Sequence, residues 1–206
     1  MKPDLRLLFR CQRAASSAEF AMVVPLLLIF LLGIIDVGRL MWTLNQAEKA
    51  TQMGVRYAVV SNPVATMINV NYVTAHNIPG GDVVPTSLFN QAVCTSTACT
   101  VSGSAANSRN GDAFDDIVEW MQRFYGGVSA ANVVVSYKNV GLGYSGNPLG
   151  PDVSPLTTVE LRNLTFAPLI LFGGTLTLPT VRATLTFEDG ECATAAGGED
   201  PCGAAN

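Results

Sequence analysis

A chain of 206 residues with 49% hydrophobic content has room for one membrane anchor and one domain of ordinary size. Its formal net charge of −4, with no basic run outside the N-terminus, speaks against nucleic acid, because binding a phosphate backbone calls for a basic patch. Enzymatic chemistry is equally unsupported: the only histidine, His76, reads as an exposed turn residue near Pro79, and no Gly-x-Ser-x-Gly elbow, Gly-Lys-Thr/Ser phosphate loop or His-Glu-x-x-His helix occurs, so no cofactor is expected.

The first element follows Lys2, Arg6, Arg10 and Arg13, which only Asp4 opposes. An uncharged, mostly apolar run extends from Phe20 to Ile35 and resumes through Val37, Gly38, Leu40, Met41, Trp42 and Leu44. About 20 residues at 1.5 Å each cross ~30 Å of hydrocarbon, so Phe20 to Leu44 suffices for one span. The basic flank is held in the cytoplasm, which sends residues beyond about 45 outward. Asp36 and Arg39 lie three apart and are expected to pair on one helix face near the outer interface. A charge there costs far less than the ~2.5–3.5 kcal/mol of the bilayer centre. No small-x-small site follows the apolar run, and Cys11 precedes it, so neither signal-peptide cleavage nor a lipoprotein route is expected. The anchor therefore stays on the mature chain. Pro25, inside the run, removes one helical hydrogen bond and is expected to kink the helix. Glu19 stands at the edge of the apolar helix, where a carboxylate is costly to dehydrate and is kept with a partner. It pairs with a neighbouring subunit, or it sits in the headgroup layer near Arg13.

The stretch Ala14-Ala-Ser-Ser-Ala-Glu19-Phe-Ala-Met-Val-Val-Pro25, continuing through Gly33-Ile-Ile-Asp-Val-Gly-Arg39, resembles the N-terminus of the TadE-like family, pseudopilin-like proteins of the tight-adherence (Flp-type IVb) pilus system. The motif is an acid, an aromatic, a proline six residues after the acid, and a Gly-x-x-acid-x-Gly-Arg signature. The likeness extends through Gln46 to Ala58; beyond residue 60 only the general layout is similar. It implies a cut by a prepilin peptidase between Ala14 and Ala15, which makes Glu19 the fifth mature residue and Ala15 a new ammonium to pair with it. The family usually has glycine before the cut, and this chain has Ala14. The resemblance also implies that Glu19, Phe20 and Pro25 serve assembly among other pilins or pseudopilins and inner-membrane assembly proteins. The chain would then be a single-pass protein of the inner membrane, with a cytoplasmic N-terminus and a periplasmic domain.

The helix is expected to continue to about Val60 and to stop at or before Asn62, because Pro63 disfavours the helical region for the residue before it. Leu40, Leu44, Ala47, Thr51, Val55 and Ala58 form a stripe of mostly small residues, opposite Gln46, Lys49, Gln52 and Arg56. That stripe packs either on another subunit or on the chain's own domain. Residues from there to about Asn110 read as loop-rich, with short elements around Met67–Val73 and Ser87–Val93.

Cys94 and Cys99 close a small loop, and Cys192 and Cys202 bracket an acidic Gly/Ala-rich tail. Outside the cytoplasm such pairs favour disulfides over zinc, although four cysteines permit three pairings. Asn110-Gly-Asp112 starts a helix, with Asp112 expected to cap Ala113–Asp115 and with Ile117, Trp120, Met121 and Phe124 on its buried face. Capping and the positive helix end account for Asp112, Asp115 and Asp116 without calcium or any other metal.

Strands are expected over Asn132–Lys138, Leu156–Phe166 and Leu178–Glu188, the last with Val181, Ala183, Leu185 and Phe187 inward. Ala167-Pro-Leu-Ile-Leu-Phe-Gly-Gly is an apolar link that either lies at the membrane surface or packs under the sheet, and packing is the expectation. The fold class is α+β: a long transmembrane helix, then one helix on a small antiparallel sheet, pilin-like in layout. The segments are a leader at 1–14, an anchor and stalk at 15–61, a domain at 62–190 and a disulfide-tied tail at 191–206.

Overall fold

A computed structural model of the chain describes residues 12–148, 150–169 and 174–187. Helix α1 spans Gln12–Ala58, 47 residues, and runs through Pro25 without a break in its assignment. It ends in a turn over Val59 and Val60, before the Ser61-Asn62-Pro63 stop. A 3₁₀ turn at Thr66–Asn69 and a short helix α2, Tyr72–His76, follow. Next come strands β1 (Gln91–Cys94) and β2 (Cys99–Ser102), helix α3 (Gly111–Gln122), and strands β3 (Val133–Lys138), β4 (Leu156–Leu161), β5 (Thr165–Phe166), β6 (Leu176–Thr177) and β7 (Val181–Thr186). The chain divides into two compact units. The first runs to Thr43 and takes in Phe166–Leu176; the second takes in Leu44–Thr165 and the chain from Thr177.

The second unit is built on a five-stranded antiparallel sheet in the order β2-β1-β3-β4-β7, while β5 and β6 form a separate two-stranded pair. Central β3 is β-branched and buried on both faces, with Val133, Val135 and Tyr137 on one and Val134 on the other. Helix α3 is strongly amphipathic and buries Ala113, Phe114, Ile117, Val118 and Met121. Its N-cap is Asn110, whose side chain accepts the Ala113 amide at 3.2 Å. Asp112 is already inside the first turn, where a side chain no longer reaches the free amides as a cap does, so the expected role passes to the residue two positions earlier. Of the face expected on this helix, Ile117 and Met121 are fully buried, whereas Trp120 and Phe124 are only half-buried.

The short element expected around Ser87–Val93 overlaps β1, and β2 completes a hairpin with it. Two further expectations need correction. The second expected strand is broken after Leu161, because Asn163 takes a left-handed φ of 55° and lets the chain turn before β5. Leu185, on the edge strand β7, is 40% exposed rather than buried, since an edge strand has a neighbour on one side alone; Phe187, one residue past the strand, is buried.

Polar groups stitch the irregular segments to the core. The buried Asn139 side chain donates to the carbonyls of Val84 (3.0 Å) and Phe89 (2.9 Å). The carboxylate of Asp152, equally buried, accepts the amides of Tyr72 (2.7 Å) and Asn147 (3.1 Å). Each such bond spares a buried backbone group the cost of standing unpaired. His76 is the last residue of α2 and stacks on Tyr72 with ring centroids 5.3 Å apart, which corrects its reading as an exposed turn residue.

Tyr137 is fully buried, receives the Val64 amide on its hydroxyl at 3.0 Å and meets Phe187 edge-on. Burial pushes its phenol above the usual range, only partly offset by the Val64 hydrogen bond; burial and then the Asp152 charge do the same to Tyr72. A raised folded value means that the folded state holds the proton where the unfolded chain releases it. This stability is complete below the unfolded tyrosine value of about 10 and is lost as pH rises above it. Thermal melts from pH 8 to 11 are expected to show the melting temperature falling above about pH 10, with a shallower fall in Tyr137→Phe. Equal slopes in the two proteins would remove Tyr137 from the account.

Candidate anchor and assembly site

The functional residues read from the sequence concentrate on α1. Among the described residues one helix is long and apolar enough to cross a membrane, and its most apolar stretch is 6% buried. Phe20, Leu26, Ile29 and Phe30 are 71%, 72%, 59% and 66% exposed. Soluble monomers rarely expose so continuous an apolar surface, and where they do it marks a membrane or partner contact. Glu19, Phe20 and Pro25 lie exposed near its start, and the backbone of Ala14 and Ala15 is already helical. The hollow beside Gly33, walled by Leu26, Phe30, Ile34 and Val37, is a notch in this bare face rather than a ligand cavity.

Near the far end of the apolar run the helix carries its charges. Arg39 Nη1 is 3.5 Å from Asp36 Oδ1, and the same oxygen accepts the amide of Leu169 at 3.0 Å. Asp36 is 3% exposed as a result, and the Arg39 guanidinium lies 5.4 Å from the centre of the buried Phe166 ring. The pairing follows from spacing along one helix. Leu169 does not, since no local pattern announces a partner 133 residues away. The only signal was the apolar Ala167–Gly174 segment itself. Its described arm reaches Asp36 with Leu169 exposed, and residues 170–173 lie outside the described residues.

Within the second unit, the small-residue stripe resolves its two readings. Ala47, Ala50, Thr51, Val55 and Ala58 are buried in the chain's own domain. The approach is close at Gly54, where an added Cβ would sit 2.7 Å from Met121 Cγ, so any larger residue requires the Met121 side chain to move. Aromatic and cationic groups rim the contact: Tyr57 stacks on Trp120 at 5.4 Å, and Lys49 lies 5.7 Å from the Phe124 ring centre. Sequence periodicity gave the stripe but not these rim contacts, which depend on how two helices cross.

Cys94 and Cys99 are joined by a disulfide across the β1–β2 turn. Closing so short a loop contributes about 2 kcal/mol on the loop-entropy account. Cys192, Cys202 and the expected tail fall outside the described residues. Among the described residues, no group of three or more His, Cys, Asp or Glu side chains stands close enough to hold a metal ion. Asp115 instead lies 3.9 Å from Arg109.

A bare apolar helix that leads into a disulfide-closed α+β domain defines a protein anchored through its N-terminal helix. Residues 14–56 match the family described as TadE-like protein, so the anchor and stalk are similar to that family. The matched residues contain the Glu19, Pro25 and Asp36–Arg39 positions and stop short of the sheet. No curated protein and no solved structure matches the chain.

Proposed function

We propose that this protein is a membrane-anchored minor pilin or pseudopilin that assists assembly of a tight-adherence, Flp-type pilus. It works by packing, not by turnover. The observation that carries the reading is the TadE-like match over residues 14–56, laid on a helix whose apolar face is left bare.

In this reading α1 crosses the inner membrane with its N-terminus in the cytoplasm and the α+β domain in the periplasm. Prepilin peptidase cuts between Ala14 and Ala15. The new ammonium of one subunit then meets Glu19 of the next, a pairing that satisfies a carboxylate otherwise costly to hold at the edge of hydrocarbon and sets the axial register of the helices. Phe20 and Pro25 belong to the same exposed segment of α1. The stalk stripe is occupied by the chain's own domain, so contacts with other pilins and with the inner-membrane assembly proteins fall to the bare segment and to the outer surface of the domain.

Ala14 in place of the usual glycine favours a second reading, an unprocessed periplasmic adaptor that stays anchored and never enters a filament. N-terminal sequencing of the protein from membranes and from sheared filaments separates the two. An N-terminus at Ala15 in both fractions is the expected result. Retention of Met1 to Ala14, with no protein in filaments, would replace the pilin reading with the adaptor. Recovery of a soluble species lacking Phe20–Ile35 would remove both.

A further inference from the structure

Counting about 20 residues from Phe20 places the far boundary of the hydrocarbon near Arg39, with Asp36 one turn inside it. At that depth the chain returns to α1. The Leu169 amide donates to Asp36 Oδ1 at 3.0 Å, and Phe166 lies against the Arg39 guanidinium. The returning arms are apolar and bare: Leu169 is 69% and Leu176 51% exposed, in the same compact unit as Ile34, Val37 and Trp42. No charged residue occurs from Asn163 to Val181, and the sequence between Leu169 and Gly174 reads Ile-Leu-Phe-Gly.

From this geometry we infer that the two arms, Phe166–Leu169 and Gly174–Leu176, form a second membrane-contacting element, seated beside α1 in the outer leaflet with lipid acyl chains covering Leu169 and Leu176. The inference rests on the anchor reading above. It gives the Asp36–Leu169 hydrogen bond a physical reason. In hydrocarbon neither a carboxylate nor a loop amide finds water, and non-helical backbone is tolerated only where its polar groups meet protein partners. Arg39 completes the arrangement at the boundary, with its guanidinium over Phe166 and its charge next to Asp36. Trp42, 66% exposed one turn further out, sits where interfacial aromatics gather.

Tryptophan fluorescence of the full-length protein in phosphatidylcholine/phosphatidylglycerol vesicles tests this, using lipids brominated near the headgroup or deep in the chain. Trp120→Phe leaves Trp42 to report on the anchor. Adding Trp42→Phe with Leu169→Trp, or separately with Leu176→Trp, reports on the loop at two positions, and Tyr144→Trp in the same background reports on an exposed loop of the domain. Quenching of Trp42 and of both loop tryptophans, stronger by shallow than by deep bromines and with blue-shifted emission, is the expected result, with the Tyr144→Trp signal unquenched. Quenching of Trp42 alone overturns the inference and leaves the anchor standing. Absence of quenching at Trp42 as well overturns the anchor and the inference together. Quenching at Tyr144→Trp equal to that of the loop overturns the assignment to this segment.

Discussion

Phe30→Arg is expected to move the protein out of the carbonate-resistant membrane fraction. Phe30 is 66% exposed and lies midway between Phe20 and Arg39, so in a bilayer its side chain meets acyl chains at the depth where charge is most costly. Exchanging a residue that favours the centre for arginine costs about 3–4 kcal/mol on the insertion scale, a shift of two to three orders of magnitude in partition. Met41→Arg provides the contrast. Met41 is also exposed on α1 but stands beyond Arg39, where a long cationic side chain reaches the headgroups. It is expected to leave membrane association unchanged. If both variants stay in the membrane fraction, the Phe20–Arg39 span is misplaced; if both leave it, the boundary near Arg39 is.

Phe114→Ala is expected to have the largest effect on the α+β domain. The ring is fully buried on α3 and has the Arg109 guanidinium 4.9 Å from its centre. Truncation removes the transfer free energy of the ring and leaves a cavity, together about 3–5 kcal/mol in well-packed cores. The lost contact with Arg109 adds to this, since that guanidinium also donates to the Thr95 carbonyl at 2.9 Å and helps tie the β1–β2 turn to α3. Glu119→Ala on the same helix breaks only an exposed ion pair with Arg123 and is expected to change stability by less than about 0.5 kcal/mol. Urea unfolding of the full-length protein in detergent, followed by circular dichroism, measures both. A loss for Phe114→Ala no larger than that for Glu119→Ala would mean that α3 is not part of the core.

Features set by neighbours in sequence were legible before any coordinates. The apolar run of α1, the Asp36–Arg39 spacing, the buried side of α3 around Ile117 and Met121, and the β-branched β3 all follow from periodicity or composition within a dozen residues. Features that depend on a competition between close alternatives were not. Asn110 and Asp112 are both good caps, and only the helix start chooses between them. Asn163 gives no pattern that separates β4 from β5, because its left-handed conformation is a property of the turn it is forced to make. The four-residue strands β1 and β2 are too short for alternation to register, and they owe their place to pairing with β3 and to the Cys94–Cys99 link. Leu185 fits an inward position perfectly well in the strand pattern, yet only the strand order reveals that it stands at an edge.

From its residues alone, then, the chain declares an anchor, a stalk and an α+β domain, and it carries the TadE-like motif in the first two. These are matters of hydrocarbon content and local repeat, which a segment possesses whatever surrounds it. Only the tertiary structure decided that the stalk's small residues are covered by the chain's own α3 side, through the gap at Gly54, and that Asp36 is satisfied by an amide from far along the chain. The reason is that a stripe or a buried acid specifies the need for a partner but not its identity; the partner is whichever group the stacking of distant elements brings within reach.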